Sequence, residues 1–456
     1  MYTNCEQLIA QQKAFFQSGK SRELKFRKAQ LQKLRDIIDQ NKSKILAGLR
    51  EDLNKPELEG YYEFNSIAEI DYALKHLNQW AKTRRTLTPL VMWPSIGEIH
   101  PEPLGVVLII SAWNYPFNLA ITPLVGAIAA GNCAVIKPSE IAPNTSHVLA
   151  ELIEENFDPS YLAVVEGDAQ VSQELLAQNF DHILFTGSAR VGKIVMEVAA
   201  KNLTPVTLEL GGKNPCIVDR DCDLNCTTRR IIWGKFFNAG QICIAPDYLL
   251  VNRKVKDDLI QAMLAEVKAF YGENPEESPD YARIVNDKQF NYLQGLLQEG
   301  NILCGGKTNP KTRYIAPTLI EGVTWDSLVM QEEIFGPILP ILEYSQIEEA
   351  IAEINQRPKP LALYLFSKRA QIQRQVLQQV SSGTVALNDT VLQFNIPQLP
   401  FGGVGQSGMG GYHGFASFKT FSHYKSVLRR WFWLDLSLRY PPYGNKLKLL
   451  KKLLRY

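Results

Sequence analysis

The sequence predicts an α/β protein: a parallel sheet wound on both faces by helices, followed by a second α/β unit. Three observations carry that reading. Short β-branched runs alternate with helical segments from Gly105 to Leu210, the pattern that gives right-handed crossovers and a doubly wound sheet. The alternation restarts after Gly211 and Gly212, a double glycine able to act as a hinge. The 456 residues are 45% apolar and 21% charged, ordinary globular proportions, and that length leaves room for roughly two to four packed units.

In chain order, the first hundred residues read as charged amphipathic helices. The stretch ELKFRKAQLQKLRDIIDQN has apolar residues at helical spacing and is expected to cap one face of the sheet. RRTLTPLVMWPSIGEIHPEPLG mixes prolines with short alternating runs and reads as an extended hairpin. From Leu104 to Ile136 no residue is charged, long enough to suggest a membrane span. Pro116, Pro123 and three asparagines argue against it. The better parse is the strand GVVLIIS, a helix with Pro116 near its start, and the strand CAVIK, both strands fit for a sheet covered on two faces. Further strand signals follow at YLAVVEG, HILFTGS and PVTLELGG. The second series has PCIV, YLLVN, ILPILEY, ALYLFS and TVALND.

Composition narrows the function. A net charge of +2 gives no basic field for nucleic acid. Seven scattered cysteines form no CxxC pair and no zinc spacing, so no metal is expected and a reducing compartment is. The N-terminus lacks an apolar core after a basic start, so the expected location is cytoplasmic.

Several residues could do chemistry. Cys243 in FNAGQICIA is either a buried filler, the base-rate reading, or a nucleophile. FTGSARVGK joins strand to helix through Gly187, Ser188 and Gly192. It lacks one glycine of the dinucleotide fingerprint, so an ordinary tight turn competes with an anion site at the helix N-terminus. VIKPSE sets Lys137 and Glu140 at the carboxyl end of a strand, where ligands of open α/β sheets bind. SAWNYPFN sets Trp113 and Asn114 at another such end, Asn114 being either a helix N-cap or an oxyanion donor. Glu209, in TLELGGKNP, sits among leucines at a strand end. Partial burial would raise its pKa and suit it to activating water. QEEIFGP supplies Glu333 beside an aromatic, with a solvated acid pair as the alternative.

Taken together, TLELGGKNP, FNAGQIC, QEEIFGP and PFGGVGQSGMGGYHG, in this order and spacing, closely resemble the aldehyde dehydrogenase superfamily over about residues 20 to 425. The short N-terminus and GGYHGFASFKTFSH resemble its class 3 and fatty aldehyde branch. The resemblance implies a Rossmann-like NAD(P)-binding domain at 1–83 and 104–210 and a catalytic domain at 211–420. It also implies a small β-hairpin oligomerisation arm at 84–103 and 421–436, and a homodimer. By the same resemblance Cys243 attacks an aldehyde as thiolate, and Asn114 with the Cys243 amide holds the oxyanion. Hydride passes to the nicotinamide, and Glu209 activates water against the thioester, with Glu333 a second candidate base. The thiol needs a lowered pKa, for which backbone amides and the cofactor ring are the expected sources. Lys137 and Glu140 are implied at the adenine ribose, Gly187, Ser188 and Gly192 near the diphosphate, and Glu333 and Phe335 at the nicotinamide, with Trp113 and Leu210 also against the cofactor. Glu140 repels a 2′-phosphate and Lys137 attracts one, so NAD is expected with NADP admitted.

Tyr115, Trp233, Ile244 and Leu399 are expected to face the substrate tunnel; all are apolar or aromatic, which favours a greasy aldehyde. From Ser437 to the end there are six Lys or Arg and no acid. A helical wheel there places Leu447, Leu449, Leu450, Leu453 and Leu454 opposite Lys448, Lys451, Lys452 and Arg455. Such a helix lies on an anionic membrane surface, with Trp431, Phe432 and Trp433 as anchors, or packs on protein. A cysteine-dependent esterase or acyl transferase, a scaffold with a vestigial site, and an acyl thioester reductase are the rival functions; retention of Glu209 opposes the last.

Overall fold

The computed structural model describes residues 5–89, 92–435 and 437–454, the side chains of 453 and 454 excepted. Leu90 and Val91 of the expected arm, Leu436, and Arg455 and Tyr456 of the tail lie outside the described residues. N-terminal helices cover one face of the first sheet; in Leu24–Gln40 the residues Leu31, Leu34, Ile37 and Ile38 are buried, the helical spacing read from the sequence.

Next come β1 (Arg84–Thr86) and β2 (Ser95–Pro103), an antiparallel hairpin whose Arg84 pairs with Ile99. The apolar run then resolves into β3 (Val106–Ile110), the helix Asn118–Ala130 and β4 (Cys133–Lys137), every residue of them buried. Among the described residues no helix is long and apolar enough to cross a membrane. β5 (Leu162–Val164), β6 (His182–Gly187) and β7 (Val206–Leu210) complete the parallel set. Spatial order is β7-β6-β3-β4-β5, so Ile110 lies opposite Lys137 and Phe185, and Gly187 opposite Leu210. All these carboxyl ends reach one edge of the sheet.

The second unit holds β8 (Pro215–Val218), β9 (Tyr248–Asn252) and β10 (Asn301–Cys304), then a two-stranded ribbon of β11 (Thr308–Asn309) and β12 (Tyr314–Ile315). It continues with β13 (Thr318–Glu321), β14 (Ile338–Tyr344), β15 (Ala362–Phe366) and β16 (Thr384–Leu387). Its order is β10-β13-β14-β9-β8-β15-β16, parallel except at β10.

The second unit does not run unbroken to residue 420. β17 (Gly408–Met409) pairs antiparallel with β7, setting Gly408 opposite Glu209. The helix Gly414–Thr420 then packs on the helices Asn65–Trp80 and Asn118–Ala130 of the first unit. Pairing with the open edge of β7 draws this segment back, an effect of sheet closure that no local pattern encodes. β18 (Ser422–Arg430) joins the arm along the whole of β2, from Ser422 opposite Pro103 to Arg430 opposite Ser95.

Candidate active site

Cys243 sits on a turn that the chain can make only under constraint. Asn238, Ala239 and Gly240 precede it with φ of 50°, 50° and 74°, and a left-handed non-glycine residue costs about 1–3 kcal/mol. Gly240 has a further reason to be glycine: a Cβ there would collide with the Gly336 carbonyl, so the cysteine turn packs directly on the loop that follows Glu333. Hydrogen bonds offset the strain. The Asn238 amide donates to Glu59 at 2.9 Å, and its side chain donates to the carbonyls of Asn114 (3.1 Å) and Gln241 (3.2 Å). The Asn214 side chain donates to the carbonyls of Cys243 at 2.8 Å and Ala245 at 3.1 Å.

Asn114 is not a helix cap; the helix begins at Asn118, after Phe117. It is fixed instead from three sides. Its Nδ2 donates to the Gln241 carbonyl at 3.1 Å, and its own carbonyl accepts from Asn238 and from the Lys55 ammonium, the latter at 3.1 Å. Lys55 and Glu63 form a fully buried ion pair at 2.7 Å, and the same ammonium lies 4.0 Å from the Tyr115 ring centre. Glu63 also accepts from the Asn118 amide at 2.8 Å. Breaking such a pair by removing one partner would leave an uncompensated buried charge, which makes it a rigid floor beneath Asn114 and Tyr115.

Glu209 is 3% exposed and neither of its carboxyl oxygens has a hydrogen-bond partner. Burial alone raises its pKa well above the usual carboxylate range. Glu333 is pushed up to about 8, first by burial and then by Asp247, against the Gly212 amide, Lys213 and Lys235. Around Cys243 burial raises the thiol pKa and Glu333 and Glu209 add to the rise, while the backbone amides of Cys243 and Ile244, one of the two expected sources, lower it. A dry site flanked by two carboxyl groups favours the neutral thiol.

Two cavities meet at this sulfur. One, about 520 Å³ including its open mouth, is almost wholly apolar; Tyr115, Trp233 and Ile244 line it, together with Tyr62, Phe237 and Phe394. Leu399 does not: it is 46% exposed and outside the lining. The turn at Leu392–Asn395 brings Val391, Phe394 and Asn395 to the wall, and Leu399 lies beyond the next turn, where its amide donates to the Ile396 carbonyl. The other cavity, about 1290 Å³ including its open mouth, gathers Trp113, Asn114, Gly187, Ser188, Glu209, Leu210, Glu333 and Phe335. Cys243 and Asn114 line both.

Lys137, Glu140 and Gly192 are outside that lining. Lys137 is buried at the adjoining strand end and donates to the Pro138 carbonyl at 2.7 Å and to Glu140 at 3.3 Å. Gly192 lets its helix close on β7, since a Cβ there would strike Leu210. Ser188 caps the helix Ala189–Lys201, accepting from the Val191 amide at 3.4 Å. Unpaired carboxyl oxygens of Glu209 and Glu333, a capped helix N-terminus after a parallel strand, and the edge-to-face rings of Trp113 and Phe335 at 5.2 Å fit a dinucleotide with a flat ring.

Sequence reading missed the buried charges Lys55, Glu59 and Glu63. They lie in what reads as a surface helical region, and the only signal is the apolar crowding of PELEGYYEF around the acids. It also missed Lys213, Asn214 and Asp247, although the first two directly follow the double glycine.

A cysteine sulfur at the junction of an apolar cavity and a polar crevice able to take a dinucleotide is the arrangement of a thiol-dependent NAD(P) oxidoreductase. The aldehyde dehydrogenase family model matches residues 2–427, and the chain belongs to that family. It is 49% identical over 450 residues to the 4,4'-diaponeurosporen-aldehyde dehydrogenase of Staphylococcus aureus, covering 98% of each chain. It is 48% identical over 442 residues to the dimeric NADP-preferring aldehyde dehydrogenase of Rattus norvegicus, covering 95% of this chain and 96% of the other. The structure of Staphylococcus aureus AldH in a substrate-bound state superposes with a TM-score of 0.97 at 48% identity, covering 99% and 100% of the two chains.

Proposed function

We propose that this aldehyde dehydrogenase oxidises an apolar aldehyde to its carboxylic acid with NAD or NADP, through a covalent bond to Cys243. The observation that carries the reading is that Cys243 opens into both cavities, the apolar one and the polar one. The diaponeurosporen-aldehyde activity named for one relative and the NADP preference named for another point the same way.

The thiol of Cys243 loses its proton to a neighbouring carboxylate, Glu209 or Glu333, and the sulfur attacks the aldehyde carbon. The oxygen takes the negative charge. The Cys243 amide and the second hydrogen of the Asn114 Nδ2, the first being held by Gln241, meet that oxygen, donors set in place before the charge develops. Bound NAD(P) supplies the hydride acceptor that turns the adduct into a thioester. Once the proton taken from the thiol has passed to solvent, Glu209 takes a proton from water as it attacks the acyl carbon and returns it to the departing sulfur, so that the acid leaves with the thiol restored. In the crevice Glu333, Phe335, Trp113, Leu210, Gly187 and Ser188 would hold the cofactor, with Lys137, Glu140 and Gly192 behind them.

A spectrophotometric screen of NAD and NADP reduction over short, long-chain and polyene aldehydes tests this. Long or polyene substrates should give kcat/KM at least about tenfold above acetaldehyde, the scale of a few buried methylenes. No cofactor reduction, with ester hydrolysis instead, would favour the esterase reading.

Two assembly readings accompany the activity. The arm serves as the contact of a homodimer: Phe432 is wholly exposed on it, and Trp93 and Trp433 meet edge-to-face at 5.5 Å. The dimeric relative supports this. The tail helix Lys446–Leu454 serves peripheral attachment to an anionic membrane, because Leu447 and Leu449 are more than half exposed instead of packed on the protein. Of the wheel's other members, the side chains of Leu453 and Leu454 and all of Arg455 lie outside the described residues. Full-length protein should sediment with phosphatidylserine-containing liposomes and protein truncated after Leu436 should not; equal pelleting ends the membrane reading.

A further inference from the structure

Four consecutive residues, Gly211 to Asn214, touch the supports of both acting groups. Gly211 lies against the Glu333 carboxyl so closely that a Cβ would overlap it, and the Gly212 amide donates to that carboxyl. The Lys213 ammonium, half-buried, makes three contacts: Asp247 at 2.5 Å, the Val329 carbonyl at 2.9 Å and the Glu332 carbonyl at 2.8 Å. Asp247 is buried and accepts from the Ile334 amide at 3.0 Å. Lys213 and Asp247 therefore grip the backbone on either side of Glu333, at 332 and at 334. Asn214, the next residue, ties the carbonyls of Cys243 and Ala245, and its own carbonyl accepts from the Asp247 amide at 2.9 Å.

We propose that Lys213 is a positioning residue: with Asp247 it sets where the Glu333 carboxyl stands in the cofactor crevice, while Asn214 independently sets the turn of Cys243. A lysine suits the task because one ammonium carries three donors, here spent on one carboxylate and two carbonyls. The two loops come from distant parts of the chain, and adjacent residues at the strand end each hold one of them. The proposal rests on the reading that Glu333 acts on the cofactor side, and its test separates the two.

The variants are Glu333→Gln, the charge-balanced pair Lys213→Met with Asp247→Asn, and all three changes combined. The paired change avoids leaving a buried carboxylate alone. NAD affinity is read by quenching of protein tryptophan fluorescence, and the cysteine turn by the rate at which iodoacetamide alkylates Cys243. Glu333→Gln and the paired variant should each weaken NAD binding about fivefold or more, and the triple variant should match Glu333→Gln within about twofold, because both act through one carboxyl. Alkylation of Cys243 in the paired variant should stay within about twofold of wild type, since Asn214 is intact. Wild-type NAD affinity in the paired variant, with Glu333→Gln impaired, overturns the positioning role alone. Full additivity, or alkylation falling in step with affinity, shows general loosening and also overturns it. An unimpaired Glu333→Gln sinks the reading of Glu333 and this proposal with it.

Discussion

Cys243→Ala protein is expected to lose aldehyde turnover by about four orders of magnitude or more, the scale found when a covalent nucleophile is removed. Its NAD affinity should stay within about twofold of wild type. The reason is geometric. The sulfur stands where the apolar cavity meets the crevice, so truncation removes the bond-forming atom while Glu333, Phe335, Trp113 and the Gly187–Ser188 turn keep their places. The strained turn at 238–240 is held by backbone and by Asn214 and Glu59, none of which bonds the thiol, so the variant should fold. Steady-state activity within about tenfold of wild type would mean another residue forms the acyl intermediate.

Glu209→Gln should separate the two halves of the reaction. Acylation of Cys243 releases one equivalent of reduced cofactor, and deacylation needs a carboxylate to take a proton from water. The amide cannot, so a stoichiometric burst should be followed by a steady state slowed about a hundredfold or more. The pH dependence has a definite sign. Burial raises the Glu209 pKa, so the deacylation rate should climb with pH over a range above that of an ordinary carboxylate. The Gln variant should lose that climb. An unchanged steady-state rate contradicts the assignment, and the same burst in Glu333→Gln but not in Glu209→Gln transfers the role to Glu333.

The strands were legible because burial on both faces of a parallel sheet imposes unbroken β-branched runs. VVLII, CAVIK, YLLVN and ALYLF each became a strand with every residue buried. Glu209 stood out because a carboxylate between leucines is costly to bury, and it is buried. The wall of the apolar cavity was less legible. Tyr115, Trp233 and Ile244 adjoin motif residues in sequence and line it, whereas the place of Leu399 depended on a loop whose turns are set by packing.

By itself, then, the sequence determined two α/β units, their order and the carboxyl-end edge of the first sheet, because these follow from short-range periodicity, whereas Cys243, Glu209 and Glu333 were singled out by the resemblance of their motifs to a known family. Only the tertiary structure decided that Lys55, Glu59 and Glu63 underlie Asn114 and the cysteine turn, that Lys213 and Asp247 grip the Glu333 loop, and that residues 408–420 return to the first unit. Each of these joins groups far apart along the chain, and a charge's partner across such a distance leaves no trace in the residues beside it. The thiol's raised pKa belongs with them, since it is a property of the space around the sulfur and not of the sequence next to it.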